Sequence, residues 1–120
     1  MHIEIHTIND IPIAEIKAEG LVIQSAEEGL DLLGNTYYQG FERMIVHAEN
    51  ITPEFFDLKN GLAGEILQKF SNYRMRLVIV GDFSVYTGKA ITDFIFESNK
   101  GKQVNFLSSV AEAVEKLAAN

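Results

Sequence analysis

An apolar run near the middle of the chain constrains the fold more than any other feature. From Met75 to Gly81 every residue except Arg76 is apolar, which is typical of a strand that is buried on both faces. Such strands occur in sheets whose faces are covered by helices. The run therefore predicts an α/β fold in which Leu77 to Val80 lie in an interior strand.

Helix-start signals and apolar residues at helical spacing predict about four helices. Ser25 and Ser109 each begin a capping box, because Glu28 and Glu112 follow three positions later and can accept N–H groups at the start of the helix. The apolar periodicity after these and two further starts predicts helices over 25–39, 60–72, 88–99 and 109–118.

Alternating and apolar segments predict the strands. Residues 2 to 6 alternate between polar and apolar side chains, and Asn9-Asp10 supplies a turn that tolerates positive φ, so we expect an opening β-hairpin. Arg43 to Ala48 and Val104 to Leu107 are further strands. The order β-β-α-β-α-β-α-β-α favours one α/β domain over residues 1–120, with a mixed, mostly parallel sheet of four to six strands.

Charge and composition exclude several classes of function. The net charge is −7 with a pI near 4.8, and the ten lysines and arginines are scattered, whereas nucleic acids and anionic membranes bind concentrated basic surfaces. The absence of cysteine rules out disulfides, thiolate zinc sites, iron–sulfur clusters and cysteine nucleophiles. The N-terminus lacks the basic start and apolar run of a signal peptide, so we expect a cytoplasmic protein.

One long motif and two shorter ones resemble a known bacterial family. The motifs are Thr52-Pro53-Glu54-Phe55-Phe56-Asp57-Leu58-Lys59-Asn60-Gly61-Leu62-Ala63-Gly64-Glu65, Val80-Gly81-Asp82-Phe83 and Glu97-Ser98-Asn99. Over nearly the whole chain they resemble the family called domain of unknown function 4180. This resemblance implies no particular activity.

The order of elements is also similar to that of STAS domains, the sulfate-transporter and anti-sigma-factor-antagonist modules. In the antagonists, a serine or threonine before a glycine is phosphorylated and switches partner binding. The corresponding stretch here is Leu58-Lys59-Asn60-Gly61, in which the glycine matches but Lys59 or Asn60 stands at the hydroxyl position. The similarity therefore implies an interaction module without that phosphoswitch.

Three polar residues follow two predicted parallel strands. His47 and Glu49 end the third strand, and Asp82 ends the fourth. Ligands of open parallel sheets bind at the carboxyl ends of the strands, so these residues are candidates for a ligand site or, with the histidine as acid–base group, for catalysis. Alternatively, Asp82 caps the turn that follows it.

A second polar group lies on the first predicted strand, where His2, Glu4 and His6 share one face. Alternate strand residues are roughly 7 Å apart, so a metal ion could bind two of them but would need a ligand from another element. The alternative is a polar outer face. With three histidines and no cysteine, we expect no structural metal. Gly81 to Lys89 departs from the spacing of a phosphate loop, and we expect no cofactor.

The segment from Asp57 to Gly64 has two glycines at the start of a predicted helix, where alanine would be more stable by about 1 kcal/mol at each position. Sequences tend to break helix propensity where the backbone approaches another group closely. We therefore expect a binding edge formed by Asp57, Lys59, Asn60, Gly61 and Gly64. The alternative is close packing of the glycines against the adjacent strand.

These features favour a non-enzymatic module that acts through contacts with a protein or a small ligand. One such protein contact would be a homodimer. The competing hypothesis is a small hydrolase that uses His47 and Asp82. An enzyme requires a concave pocket in which His47 and a carboxylate approach within hydrogen-bond distance. A binding module predicts a shallow surface with exposed apolar residues near Phe55 to Gly61.

Overall fold

The strands and helices follow one another in the predicted order. The computed structural model describes residues 1–119. The strands are β1 (His2–Ile8), β2 (Ile11–Lys17), β3 (Arg43–His47), β4 (Arg76–Val80) and β5 (Val104–Leu107), and the helices are α1 (Ala26–Tyr38), α2 (Leu62–Asn72), α3 (Lys89–Asn99) and α4 (Val110–Ala118). The predicted α/β class is confirmed. Each helix begins one or two residues later than expected, because the capping residue lies outside the helix.

All five strands form one sheet in sequence order, β1-β2-β3-β4-β5. The pair β1–β2 is antiparallel, and the other three pairs are parallel. Asn9 and Asp10 have φ of 53° and 66°, so the hairpin turn has the left-handed conformation that its residues predicted. β4 lies between β3 and β5 and Leu77 to Val80 are buried, which confirms the interior strand.

The two faces of the sheet carry different helices. The larger core includes Leu33 of α1, Phe70 of α2 and Ile91 of α3, because right-handed crossovers between strands in sequence order put their helices on the same face. The smaller core, on the opposite face, packs α4 against β2, β3 and β4 and consists of Ile13, Ile45, Val78, Val80, Ala113 and Leu117.

Two arginines fix the far end of α4 against the starts of the strands. Arg43 donates to the carbonyl oxygen of Leu117. Arg76 donates to the carbonyl oxygens of Lys116 and Ala119 at 3.1 and 2.9 Å. Cations at a helix C-terminus satisfy free carbonyl groups and oppose the negative end of the helix dipole.

The face that α4 covers becomes polar toward the carboxyl ends of β2 and β3. Successive residues on one face of a strand are two positions apart, so Glu15 follows Ile13 on β2 and His47 follows Ile45 on β3. The apolar residues lie in the core under α4. The polar ones lie beyond it, and they form the site described below.

Gly61, Gly64 and Gly81 differ in their backbone conformation and in the space around them. Gly61 has φ of +80°, which favours glycine, and a Cβ at Gly61 or Gly64 would meet nothing within 4 Å. Packing of these two glycines against the adjacent strand, the alternative considered from the sequence, is therefore wrong. The close approach occurs instead at Gly81, where a Cβ would lie 2.7 Å from that of Ala48.

We expect Gly81→Ala to lower the free energy of unfolding by about 1–3 kcal/mol, since the added methyl group overlaps Ala48 and forces the ends of β3 and β4 apart. Gly64→Ala is the matched control, because its methyl group enters open space in a helix and should raise stability by up to about 1 kcal/mol. Urea unfolding followed by circular dichroism measures both. Equal stabilities of the two variants would contradict this account.

Candidate functional site

The central feature of the site is the carboxylate of Glu15, which lies between two histidines from neighbouring strands. The Nε2 atom of His6 on β1 is 2.7 Å from Glu15 Oε1, and Nε2 of His47 on β3 is 2.7 Å from Oε2. The sheet register explains the contacts, because Glu15 pairs directly with Glu4 and Ile45. Both histidines therefore reach it diagonally along the same face.

Glu15 is almost completely buried. It is 2% exposed, whereas the side chains of His6 and His47 are 25% and 22% exposed. Burial by itself raises the pKa of Glu15, but hydrogen bonds from His47 and His6, together with the charges of His47 and Lys17, outweigh burial and hold the pKa below its ordinary value of 4.5. The buried group is therefore a carboxylate at neutral pH.

The charge of Glu15 determines how both imidazoles are oriented. A carboxylate can only accept hydrogen bonds, so each Nε2 atom is the donor. Each imidazole then has Nδ1 as its second polar atom, which accepts when the ring is neutral and donates when it is protonated. A carboxylate that fixes one imidazole nitrogen in this way orients the other for binding or for proton transfer.

His47 also lines an open groove of about 500 Å³ at the carboxyl ends of β3 and β4. Glu49 and Asp82 line the same groove, so the structure brings together the three strand-end residues that the sequence singled out. Apolar residues form much of the remaining wall, including Leu21, Ile51, Pro53 and Val85. Tyr86 borders the groove and stacks on Phe56 with ring centroids 4.6 Å apart.

Asp82 is bonded to the turn that follows it. Its Oδ1 atom accepts from the backbone N–H and from the hydroxyl group of Ser84, at 3.0 and 2.6 Å. These bonds lower the pKa of Asp82, and they match the capping role that the sequence left open. Asp82 therefore bonds to Ser84, while the hydrogen bond of His47 joins it to Glu15.

The segment from Asp57 to Gly64 lies apart from the groove lining, and its polar side chains serve the local backbone. Asp57 accepts from the N–H of Lys59 at 3.4 Å, and Asn60 accepts from the N–H of Leu62 at 2.9 Å. Asn60 thus accepts from the first residue of α2, and Gly61 is the N-cap residue of this helix. The exposed apolar residues that the binding-module hypothesis predicted near Phe55 to Gly61 do not include these two aromatic rings, because Phe55 and Phe56 are buried in the core.

The polar face of β1 gains a carboxylate from β2. Glu4, His6 and Glu15 are three residues whose ligand atoms all lie within 4.8 Å of one another. His2, considered with Glu4 and His6 from the sequence, is outside this group. The sequence analysis did not single out Glu15, because its neighbours depend on which strands flank β2. The sequence feature that could have indicated a buried carboxylate is the position of Glu15, two residues after Ile13 and so on the same face of the strand.

The geometry can now be compared with known proteins. A family model described as Domain of unknown function (DUF4180) matches residues 8–117. The chain belongs to this family. The DUF4180 match includes Glu15, His47 and the groove residues, whereas Glu4 and His6 precede it. No curated protein and no solved structure matches the chain. None of the helices in residues 1–119 is both long and apolar enough to span a bilayer.

We expect Glu15→Gln to remove part of the pH dependence of stability in acid. The folded state lowers the pKa of Glu15 below 4.5, so the ionised carboxylate stabilises the fold above that pH, and this contribution is lost as the pH falls from 4.5 through the folded-state pKa. The stability difference between the native chain and the variant should therefore shrink below pH 4.5.

Urea unfolding between pH 7 and 3, in a buffer with a metal chelator, measures this difference. Glu49→Gln is the control, since it removes the same charge from an exposed position. A difference between the native chain and Glu15→Gln that stays constant down to pH 3 would contradict a lowered pKa.

Proposed function

We propose that this DUF4180 domain is a non-enzymatic binding module that holds a small ligand in the groove at the carboxyl ends of β3 and β4. The observation that carries the proposal is the position of His47, which lines the groove while Glu15 fixes its Nε2 atom. A polar group held in place by a buried partner binds a ligand without first being ordered. The apolar wall supplies the remaining contact area.

The charges of the groove favour a cationic ligand. Glu49 and Asp82 are carboxylates, and the described residues that line the groove include no lysine or arginine. Hydrogen bonds from Ser84 lower the pKa of Asp82, which keeps this group negative. We infer a ligand with an ammonium or guanidinium head and an apolar body, either a free small molecule or a side chain of a partner protein.

Butylammonium and butyrate test this inference, because they match in size and differ in charge. Titration into the ¹⁵N-labelled chain should shift the amide signals of Gly81, Asp82 and Val85 with butylammonium and leave them unchanged with butyrate. Asp82→Asn should weaken butylammonium binding about fivefold, which corresponds to about 1 kcal/mol for one exposed charge pair. Equal shifts with butyrate, or shifts confined to residues outside the groove, would contradict the proposal. Comparing butylammonium with a short lysine peptide separates a free ligand from a protein partner.

The hydrolase hypothesis remains the second candidate, and the contact between His47 and Glu15 favours it. At 2.7 Å, Glu15 would orient the imidazole as a general base, whereas the sequence hypothesis paired His47 with Asp82. Hydrolysis of p-nitrophenyl acetate that is lost in His47→Gln and retained in His2→Gln would support an enzyme. Equal rates in the two variants would count against it.

A role of Asp57, Lys59, Asn60, Gly61 and Gly64 in binding a partner is a separate proposal. It is supported by the open space around both glycines, which leaves their backbone accessible to another molecule. Gly64→Ala is the informative variant because it should be at least as stable as the native chain. Loss of partner binding in this variant would support the edge, and unchanged binding would count against it.

The open edge of β1 favours a homodimer. β1 is an edge strand, and Ile5 on it is 58% exposed. In a hairpin with a two-residue turn, the pair that flanks the turn exchanges backbone hydrogen bonds, and so does every second pair before it. Ile3, Ile5 and Thr7 therefore direct their N–H and C=O groups away from β2, where another strand can pair with them.

A second copy of the chain fits this edge in one register. With Ile5 opposite the partner's Ile5, Ile3 faces the partner's Thr7 and the outward backbone groups meet. Glu4 then lies opposite the partner's His6, so the carboxylate and imidazole side chains are complementary across the interface. Registers centred on Glu4 or on His6 would instead place identical polar residues opposite each other.

Sedimentation equilibrium tests the homodimer. The native chain should form a dimer, and Ile5→Lys should weaken the association at least tenfold by placing a charge at the centre of the interface. Phe96→Lys, which changes an exposed residue of α3 (63% exposed), is the control and should leave the dimer intact. A native chain that stays monomeric, or equal effects of the two variants, would contradict dimerisation through β1.

A further inference from the structure

The register of the hairpin places two carboxylates directly opposite each other. Glu4 on β1 pairs with Glu15 on β2, and their side chains share a face of the sheet. Like charges in this position destabilise a pair of strands. His6 Nε2 lies close to both carboxylates, 2.7 Å from Glu15 Oε1 and 3.4 Å from Glu4 Oε2.

We propose that Glu4, His6 and Glu15 bind a divalent transition-metal cation, with zinc as the best match. Their ligand atoms all lie within 4.8 Å of one another, and a zinc ion binds imidazole nitrogen and carboxylate oxygen at roughly 2.0–2.2 Å. The cation lies between the opposed carboxylates and neutralises their repulsion. The imidazole ligand selects against magnesium and calcium, which prefer oxygen ligands.

The surroundings of Glu15 suit a metal ligand. Its Oε1 atom contacts His6, while Oε2 accepts from His47 at 2.7 Å. When the cation binds Glu15 Oε1 and His6 Nε2, it displaces the proton that Nε2 donates in the metal-free protein, and the neutral ring then carries its proton on Nδ1. His47 continues to hold Oε2 and keeps the carboxylate in position, as outer partners of metal ligands commonly do. The side chain of Lys17, with Nζ 3.4 Å from Glu4 Oε1, competes with the metal ion for Glu4.

This site supplies the ligand from another element that the sequence analysis required. His2 and His6 lie four positions apart on the same face of β1, but the metal group contains His6 together with Glu4 and Glu15. The expectation of no structural metal rested on the absence of cysteine and on the three histidines, and it did not include Glu15. None of the three ligands lines the groove of the proposed function, so the two proposals can fail separately.

Isothermal titration of the metal-free full chain with zinc tests the site. We expect one zinc per chain, no comparable binding of magnesium, and binding at least tenfold weaker in His6→Gln. His2→Gln is the matched control, since it removes a histidine from the same face of the same strand, and it should bind zinc as the native chain does. Because the ligands come from one chain, Ile5→Lys should also bind one zinc per chain.

Glu4→Gln keeps the test valid if His6→Gln unfolds, because Glu4 is 46% exposed and its substitution removes a like-charge contact. It should also weaken zinc binding at least tenfold. Cobalt gives an independent readout, through visible absorption bands that are lost in Glu4→Gln and kept in His2→Gln. Absence of zinc binding, or a loss in His2→Gln as large as in His6→Gln, would overturn the proposal.

Discussion

The buried carboxylate of Glu15 is the constraint on which the site depends. Glu15 is 2% exposed, and a buried carboxylate without donors would be strongly destabilising. Each of its oxygens instead accepts an imidazole N–H from a different strand. The three side chains therefore link β1, β2 and β3 and hold two imidazole rings in defined orientations.

The fold creates this arrangement by covering the sheet unequally. Within residues 1–119, three crossover helices pack on one face, and α4 is the helix on the other. Arg43 and Arg76 hold the C-terminus of α4 at the starts of β3 and β4. The polar ends of β2 and β3 lie beyond the apolar residues that α4 covers, so the site forms where α4 leaves this face.

Much of the fold could be predicted from the sequence because its signals are local. Asn9-Asp10 specifies the hairpin turn, Ser25 and Ser109 cap helices, and the run from Leu77 to Val80 requires a buried strand. The location of the groove was also predictable, since His47 and Asp82 end neighbouring parallel strands. The partner of His47 was not, because Glu15 lies 32 positions away and approaches only through strand pairing. The close contact of Gly81 with Ala48 likewise depends on the spacing of two strand ends.

Direct titration of the Glu15 carboxyl group tests the central claim. The measurement is ¹³C NMR of the side-chain carboxyl carbon in metal-free protein, with Glu15→Gln used to assign the signal. If both histidines donate to an ionised carboxylate, the midpoint lies below the ordinary value of 4.5. A midpoint above 4.5, as burial without donors would give, would contradict this structure of the site.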